Sequence, residues 1–332
     1  MTTHAHAPAD SPVTVALGVA LLAAVASCST PPAKTDGAWT SAPAMRNARA
    51  AHAVVADADA IYALAGTGAG GRPVLDVERF DGNEWRTETA LPGAGLNATA
   101  AALVGDRIYV IGGFDTSSNV PVARVHAYDL KTKSWSSVAP LPRPRGGHAA
   151  VVVDGRIHVF GGGNSESTIA DHSRYDPRTD AWIDLAPLPR SEGSPAAVVH
   201  AGAIYAVGGR SGPADFGDVY RYDAARDAWT NAPAIEPRGT AGAVDYCGEI
   251  HVFGGESQAR RASLAVVEKL DDAAGKWSAL PPLPTARNFA RAVVWKGAVY
   301  VVGGSPDAGN SHGSAGSAVV ERYSRNCKGI TR

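Results

Sequence analysis

The sequence predicts an all-β fold in which a four-stranded unit is repeated six times and the chain closes on itself. Tryptophans recur at intervals of 46 to 50 residues, at Trp39, Trp85, Trp135, Trp182, Trp229 and Trp277. Glycine pairs recur with the same period, at Gly112-Gly113, Gly161-Gly162, Gly208-Gly209, Gly254-Gly255 and Gly303-Gly304. Aspartates follow the same spacing, at Asp81, Asp129, Asp176, Asp223 and Asp271. Repetition with this period indicates stacked copies of one supersecondary unit.

Each unit contains four short apolar phrases that are separated by turn residues. They are a small-residue strand, an alternating strand that ends in Gly-Gly (RIYVIGG), a strand that ends near Tyr-Asp (HAYDL) and a strand around Trp (SWSSV). Alternation with a period of two residues predicts strands throughout. We expect the small-residue strand to be innermost, where six units converge. The Trp strand is then outermost, where a bulky side chain can cover the neighbouring unit.

The two ends of the chain complement each other. The last copy ends after its third strand, at Val319 to Tyr323, and no Trp follows it. Trp39 stands upstream without a unit of its own. The AWTSAP segment is therefore predicted to supply the missing outer strand, which would cover open sheet edges and close the ring.

These phrases together resemble the kelch repeat, whose copies form the blades of β-propellers. The resemblance covers residues 37 to 324, and it implies an all-β, six-bladed propeller with four antiparallel strands in each blade. We assign residues 37–327 to this domain and residues 328–332 to a tail. The chain also resembles the periplasmic kelch mutarotase that interconverts anomers of sialic acid, another exported six-bladed propeller.

The N-terminal segment predicts export. Residues 14–27 form an apolar run that is shorter than the ~20 residues a membrane-spanning helix needs, but it has the length of a signal-peptide core. The run ends in VASC, which resembles a bacterial lipobox. We predict a signal peptide at 1–27, a lipidated Cys28, and a tether at 28–36. One departure is that no Lys or Arg precedes the run. The expected location is the bacterial envelope, as a periplasmic or outer-membrane lipoprotein held to the membrane through its lipid.

Composition excludes some functions. The chain has 332 residues with 31 Lys and Arg against 32 Asp and Glu, a net charge of −1, so the basicity that binds nucleic acid is absent. The His and Cys spacing indicates neither a metal nor a cofactor, and we expect a monomer. Cys247 and Cys327 map to one face, and an oxidising compartment favours a disulfide between them.

The candidate site lies on the opposite face, where the loops between the second and third strands meet the connections between units. Several guanidinium groups on one face favour an acidic ligand, as the kelch resemblance also implies for arginines at the start of inner strands. For each arginine alone, the alternative is that it caps neighbouring carbonyl groups. His52 and His148 share a repeat position that favours hydrogen bonding over metal or acid-base roles. The predicted ligand-binding residues are Arg49, His52, Asn97, Asp115, Arg145, His148, Arg210, Arg238, Glu256 and Arg287.

Three functions fit these features. The first is a non-enzymatic envelope protein that binds a protein, a peptide or an acidic glycan at the arginine-rich face. The second, from the mutarotase resemblance, is a sugar mutarotase or epimerase in which Glu192 or Glu256 moves protons and Arg210 or Arg238 holds the substrate carboxylate. Glu192 stands in a connection, LPRSEGSP, that matches no signature of that enzyme. The third is a ring that only scaffolds envelope partners.

Overall fold

The computed structural model describes residues 37–309 and 316–327. The predicted signal peptide, lipidated Cys28, tether and C-terminal tail lie outside these residues. The described residues form six antiparallel sheets of four strands each, which confirms the predicted all-β, six-bladed architecture. Two short strand pairs, Leu96–Asn97 with Phe114–Asp115 and Glu256–Ser257 with Ala262–Ser263, lie in loops, and a 3-10 turn spans Ala69–Gly71.

The blades are numbered here in chain order, and the strands of each are given from the innermost outwards. Blade 1 contains Ala53–Ala56, Ile61–Leu64, Asp76–Phe80 and Trp85–Ala90; blade 2 contains Ala100–Val104, Arg107–Ile111, Val125–Asp129 and Ser134–Val138; blade 3 contains Ala149–Val153, Arg156–Phe160, His172–Asp176 and Ala181–Leu185. Blade 4 contains Ala196–His200, Ala203–Ser211, Ala214–Asp223 and Ala228–Ala232; blade 5 contains Gly242–Tyr246, Glu249–Phe253, Val267–Asp271 and Lys276–Ala279; blade 6 contains Arg291–Trp295, Ala298–Val302, Val320–Ser324 and Ala38–Ala42.

The inner strands form a closed circle, because each contacts the inner strand of the next blade and that of blade 6 contacts that of blade 1. Their small residues permit this close approach. The hydrophobic core lies between neighbouring blades. For example, Tyr62 and Leu64 of blade 1 pack with Ile108 and Val110 of blade 2.

The outer-strand tryptophans tie each blade to the one before it. The indole Nε1 donates a hydrogen bond to the preceding blade or its connection, from Trp39 to Pro281 O, Trp85 to Pro43 O, Trp135 to Thr89 Oγ1, Trp182 to Ala139 O, Trp229 to Ala186 O and Trp277 to Pro233 O. The repeated tryptophan is therefore an element of the interface between blades, as its predicted outer position implies.

The ring closes as predicted. Ala38–Ala42 pairs antiparallel with Val320–Ser324, and Trp39 stands opposite Tyr323. Trp39 also meets the ring of Phe253 in blade 5 edge-on, with centroids 5.9 Å apart. Blade 6 thus joins both ends of the described chain.

The other two repeated marks have local roles. The first glycine of each pair has a left-handed backbone conformation. A Cβ on Gly208 would also lie only 2.6 Å from Arg238 O, so a side chain does not fit there. The aspartate closes the turn between the third and fourth strands, because Asp129 accepts hydrogen bonds from the backbone N–H groups of Lys131 and Thr132. This side chain imitates a backbone turn.

A disulfide joins Cys247 to Cys327, with Cα atoms 5.1 Å apart and 80 positions between them in sequence. Cys247 follows the inner strand of blade 5, and Cys327 follows the third strand of blade 6. The bond agrees with the pairing expected from the sequence.

Candidate binding face

The loops after the glycine pairs meet the connections between blades, as the sequence predicts. Isolated backbone bridges join the two kinds of segment at Gly146 with Gly163, Gly193 with Arg210, Gly239 with Glu256 and Asn288 with Ser305. We call this surface the loop face. It contains the predicted site residues or the segments next to them.

Six residues in the left-handed backbone conformation form a hydrogen-bonded series around the central channel on the loop-face side. One residue of each blade, two positions before its inner strand, has φ between 46° and 63°: Ala51, Ala98, Gly147, Ser194, Thr240 and Phe289. From Ala98 onwards, the N–H of each donates to the carbonyl of the preceding one, over 2.6 to 3.1 Å. These bonds offset the cost of a conformation that residues with a Cβ rarely adopt.

Phe289 occupies the centre of this ring. Its side chain is 1% exposed and packs with Ala50, Ala51 and Ala98 of blade 1 and of its connection to blade 2. The sequence predicts a site of charged and polar residues on this face, whereas the structure places the aromatic side chain of Phe289 in this ring. The other five copies have Ala, Gly, Ser or Thr at the repeat position of Phe289. The change to a bulky aromatic residue could therefore have been noticed in the sequence.

The four predicted ligand-binding arginines are buried, so the expectation that this face presents their guanidinium groups to an acidic ligand is wrong in the described conformation. Each has at most 1% of its surface exposed. Each forms an ion pair with a carboxylate of the third strand of its own blade or the residue before that strand: Arg49 with Glu78 at 2.6 Å, Arg145 with Asp171 at 3.4 Å, Arg238 with Glu268 at 2.7 Å and Arg287 with Glu321 at 2.6 Å.

Arg287 shows why these side chains turn inwards. Its guanidinium donates to the carbonyls of Gly303 at 2.7 Å and Val319 at 2.8 Å, besides Glu321. Burial lowers the pKa of Arg287, and Glu321 opposes that shift. The arginine thus satisfies carbonyl groups at the end of the second strand and just before the third, the alternative considered above, because such groups are costly to bury unpaired.

Glu192 occupies the same repeat position in blade 4. Its carbonyl accepts from the second glycine of the preceding blade, Gly162, as that of Arg145 accepts from Gly113. One position of the third strand pairs with the residue two before the glycine site, and it carries Glu in blades 1, 5 and 6. In blade 4 the same position carries Tyr220. Blade 4 therefore has neither member of the arginine–glutamate pair.

The Glu192 carboxyl has no exposed surface, and neither oxygen has a hydrogen-bond partner among residues 37–309 and 316–327. Burial raises the pKa of Glu192 to about 8, with Asp218 contributing. The side chain is therefore a neutral carboxylic acid at pH 7. It does not contact solvent, so the described conformation leaves no path by which a sugar reaches this carboxyl.

Arg210, Glu256 and Asn288 form a polar network across three blades. The guanidinium of Arg210 lies 2.5 Å from Glu256 Oε1, and its centre lies 5.5 Å from the centroid of the Phe289 ring. Asn288 Nδ2 donates to Glu256 Oε2 at 3.2 Å, and Gly309 N donates to the same oxygen at 3.1 Å. Burial raises the pKa of Glu256, while Arg210 opposes the shift. The network brings two predicted site residues together.

The two predicted histidines pack between blades. A Cβ on Gly303 would lie 2.7 Å from His52 Cε1, and one on Gly112 would lie 3.0 Å from His148 Cε1. Burial lowers the pKa of His52 well below its usual value and that of His148 to about 3, with nearby arginines contributing. Both rings are therefore neutral at pH 7, and their structural position explains why only glycine fits opposite them.

Asn97 and Asp115 belong to the short strand pair of blade 2. Asn97 is buried opposite Phe114, whereas Asp115 reaches Arg124 at 3.4 Å and accepts hydrogen bonds from Ser117. The Ser117 bonds lower the pKa of Asp115. Asp115 is thus anchored within its own loop.

The loop face also contains an open groove beside blade 1 that the sequence reasoning missed. Its volume is about 800 Å³, and its walls are the segments 46–48 and 68–76. Arg46, Arg72 and Leu75 are exposed at this groove, and Asp76 also lines it. No carboxylate of the described residues lies within ion-pair distance of either guanidinium. The loop sequence GTGAGGRP, which departs from the other copies, is the signal that could have indicated it.

The part of the chain that the structure describes contains no group of three or more His, Cys, Asp or Glu side chains placed to hold a metal ion. None of its helices has the length and apolar character needed to cross a membrane.

The fold and the repeated interblade contacts define a six-bladed propeller. Comparison with known families shows to which family of propellers the chain belongs. The chain belongs to the kelch-repeat family, because the family described as "KLHDC2/KLHL20/DRC7 Kelch-repeats domain" matches residues 51–239.

The chain is similar to several curated kelch proteins. It is 35% identical to human Kelch-like protein 34 over 130 residues, which are 37% of this chain and 20% of that protein. It is 35% identical to alpha-scruin of Limulus polyphemus over 129 residues, 37% of this chain and 14% of that protein. Human Kelch-like protein 23 is 25% identical over 252 residues, 75% of this chain and 36% of that protein. The chain therefore spans well under half the length of these relatives.

A solved structure described as "Structure of YjhT" has a TM-score of 0.72 and 17% sequence identity to this chain, covering 85% of this chain and 95% of that one. At this identity the likeness shows the fold alone. It agrees with the six-bladed ring.

Proposed function

We propose that this kelch propeller is a non-enzymatic binding protein that recognises an acidic segment of a partner protein or peptide, or an acidic glycan, on the loop face. Propellers of this family are typically protein-binding domains. The observation that carries the proposal is the open groove beside blade 1, where Arg46 and Arg72 are exposed without a carboxylate partner among the described residues.

The chemistry of the groove supports an acidic ligand. Guanidinium groups offer planar pairs of N–H donors that match carboxylates. The four arginines first considered are already paired inside the blades, whereas those of the groove are open to a ligand. Leu75 is 37% exposed, and an apolar side chain beside the cations suits a peptide that carries both acidic and apolar residues.

A thermal-shift comparison of acidic and neutral ligands tests this proposal. Galacturonic acid and a glutamate-rich peptide are compared with galactose and the glutamine analogue of the peptide, at low ionic strength. We expect the acidic ligands to stabilise the wild type more. The double variant Arg46→Ala/Arg72→Ala is expected to lose that preference.

The matched control is Arg86→Ala/Arg178→Ala, which removes the same charge from exposed side chains in the outer strand of blade 1 and in the turn before the outer strand of blade 3. This control is expected to keep the preference. Equal shifts by acidic and neutral ligands in the wild type would overturn the proposal, and so would equal losses in both double variants.

The alternative of a sugar mutarotase or epimerase remains a prediction from the sequence. A substrate would have to reach Glu192 or Glu256, and both carboxyl groups have no exposed surface. Exchange of sialic acid anomers, followed by NMR with and without the protein, distinguishes this function from binding alone.

The envelope location rests on the sequence of residues 1–28. We propose that the chain is exported and anchored through a lipid on Cys28, which would present the propeller to partners in the bacterial envelope. Cys28→Ala is expected to move the protein from the membrane fraction to a soluble or precursor form. An unchanged distribution after fractionation contradicts the anchor.

A further inference from the structure

The central channel contains a cavity of about 120 Å³ that is lined by the beginnings of all six inner strands. Six residues in equivalent register line it, because each pairs with the residue immediately before the glycine site of its blade. They are Ala53, Ala100, Ala149, Ala196, Gly242 and Arg291. At this register five blades contribute a methyl group or no side chain, and the sixth contributes a guanidinium group. The larger side chains that also line the cavity are Val54, Thr99, His148 and Pro195.

Arg291 has no counter-ion in the part of the chain that the structure describes. Its Nε donates to the carbonyl of His52 at 2.9 Å, and no carboxylate among residues 37–309 and 316–327 lies within 4.0 Å of its guanidinium. Burial lowers the pKa of Arg291 to about 10 without an opposing contribution from any acid. It differs in this respect from Arg49, Arg145, Arg238 and Arg287, each of which has a carboxylate partner.

The charge of Arg291 acts near the axis of the ring. Burial is the main cause of the low pKa of His52, in the connection to blade 1, and of His148, and the charge of Arg291 adds to both shifts. His148 belongs to blade 3, which stands opposite blade 6 in a ring of six. Both imidazoles are neutral at pH 7, so they do not add to the charge. A guanidinium has five N–H donors. Arg291 is half-buried in the cavity, and a charge partly removed from water gains from a counter-charge and from further hydrogen-bond acceptors.

We propose that the channel cavity binds a small inorganic anion, of the size of a halide, against the guanidinium of Arg291. The anion supplies the missing counter-charge and accepts hydrogen bonds from the guanidinium nitrogens that face the cavity. The small residues of the other five blades leave room for such an ion and no room for a large one. This site is separate from the groove beside blade 1, since it lies within the inner strands.

Bromide serves as the probe, because it resembles chloride in size and is located by anomalous diffraction. The melting temperature of the full chain is measured while sodium bromide replaces sodium gluconate at constant ionic strength and pH 7. Gluconate is too large for the cavity. We expect the melting temperature of the wild type to rise and saturate with bromide, since a ligand that binds only the folded state stabilises it.

Arg291→Met keeps much of the side-chain length without the charge, and it is expected to lose the specific effect of bromide. Arg86→Met, at an exposed arginine, is expected to keep it. Equal melting temperatures of the wild type in bromide and gluconate overturn the proposal, as does a bromide response that survives in Arg291→Met.

Crystals of the wild type grown in bromide provide a second measurement that does not depend on the folding of the variant. An anomalous peak in contact with the Arg291 guanidinium supports the site. A cavity that holds only water in those crystals overturns it.

Discussion

The buried pair of Arg287 and Glu321 provides the sharpest test of the structural role assigned to the interior arginines. The side chains are 0% and 5% exposed, and their ion-pair distance is 2.6 Å. Arg287→Met retains the aliphatic stem but leaves the Glu321 carboxylate buried, and it removes a donor from the carbonyls of Gly303 and Val319. Removing one partner of such a pair costs about 3 to 5 kcal/mol. We expect a loss of that size in the free energy of unfolding.

Removing both charges should cost less than removing one. In Arg287→Met/Glu321→Leu no uncompensated charge remains, and apolar replacements of buried ion pairs are often nearly neutral. The difference between the double variant and the sum of the two single variants measures the coupling between the side chains. The double variant is therefore expected to be more stable than Arg287→Met.

Equilibrium unfolding in urea, followed by tryptophan fluorescence, measures these free energies. Arg86→Met, at an arginine that is 65% exposed, is the matched control and should leave the unfolding midpoint unchanged. The reasoning is refuted if Arg287→Met unfolds at the same urea concentration as the wild type, or if the double variant is less stable than Arg287→Met. Either result would mean that the ion pair does not stabilise the blade in the way assigned to it here.

Three further predictions concern Glu192, the disulfide and the closure of the ring. Because burial raises the pKa of Glu192 from 4.5 to about 8, the folded state retains a proton that the unfolded state loses. Stability should fall by up to about 1.4 kcal/mol per pH unit as the pH rises through this window, and Glu192→Gln should flatten the dependence seen in urea unfolding at pH 5 to 8; an unchanged slope would contradict this. Replacing Cys247 and Cys327 with Ser opens a loop spanning 80 positions and should lower the unfolding free energy by about 2 to 5 kcal/mol. A reducing agent should destabilise the wild type but not this variant. A loss of stability that is equally large in both proteins would argue against the bond. Deleting 37–43 should lower the melting temperature strongly because Ala38–Ala42 completes blade 6, whereas deleting 29–36 should hardly change it; similar values for the two deletions would refute the closure argument.

The architecture could be predicted from the sequence because its determinants are local and repeated. The spacing of Trp, Gly-Gly and Asp defines the strand order, and each mark has the role that its residue type suggests. The indole of Trp182 bonds the preceding blade, and Asp129 closes a turn. The place of Trp39 in blade 6 also followed, because a missing strand at one end matched an extra strand at the other.

The direction of the site side chains could not be predicted in this way. Arg49 and Arg287 stand at the loop face in the chain trace, yet their side chains turn inwards. The reason is the carboxylate of Glu78 or Glu321 and the carbonyl groups beside it, which come from strands 14 to 34 positions away in sequence. Burial of a charge depends on partners that tertiary packing brings together.

The repeat sequence alone thus determines the class of fold, the number of blades and the way the ring closes, since those depend on residue types at regular intervals. Tertiary structure decides which cations are available to a ligand. It pairs Arg145 and Arg238 inside the blades, leaves Arg46 and Arg72 exposed at a groove, and places Arg291 in a channel cavity without a carboxylate partner among the described residues. The physical reason is that the state of a charge depends on its desolvation and its nearest opposite charge, and both arise only when the strands of a blade, and then neighbouring blades, pack together.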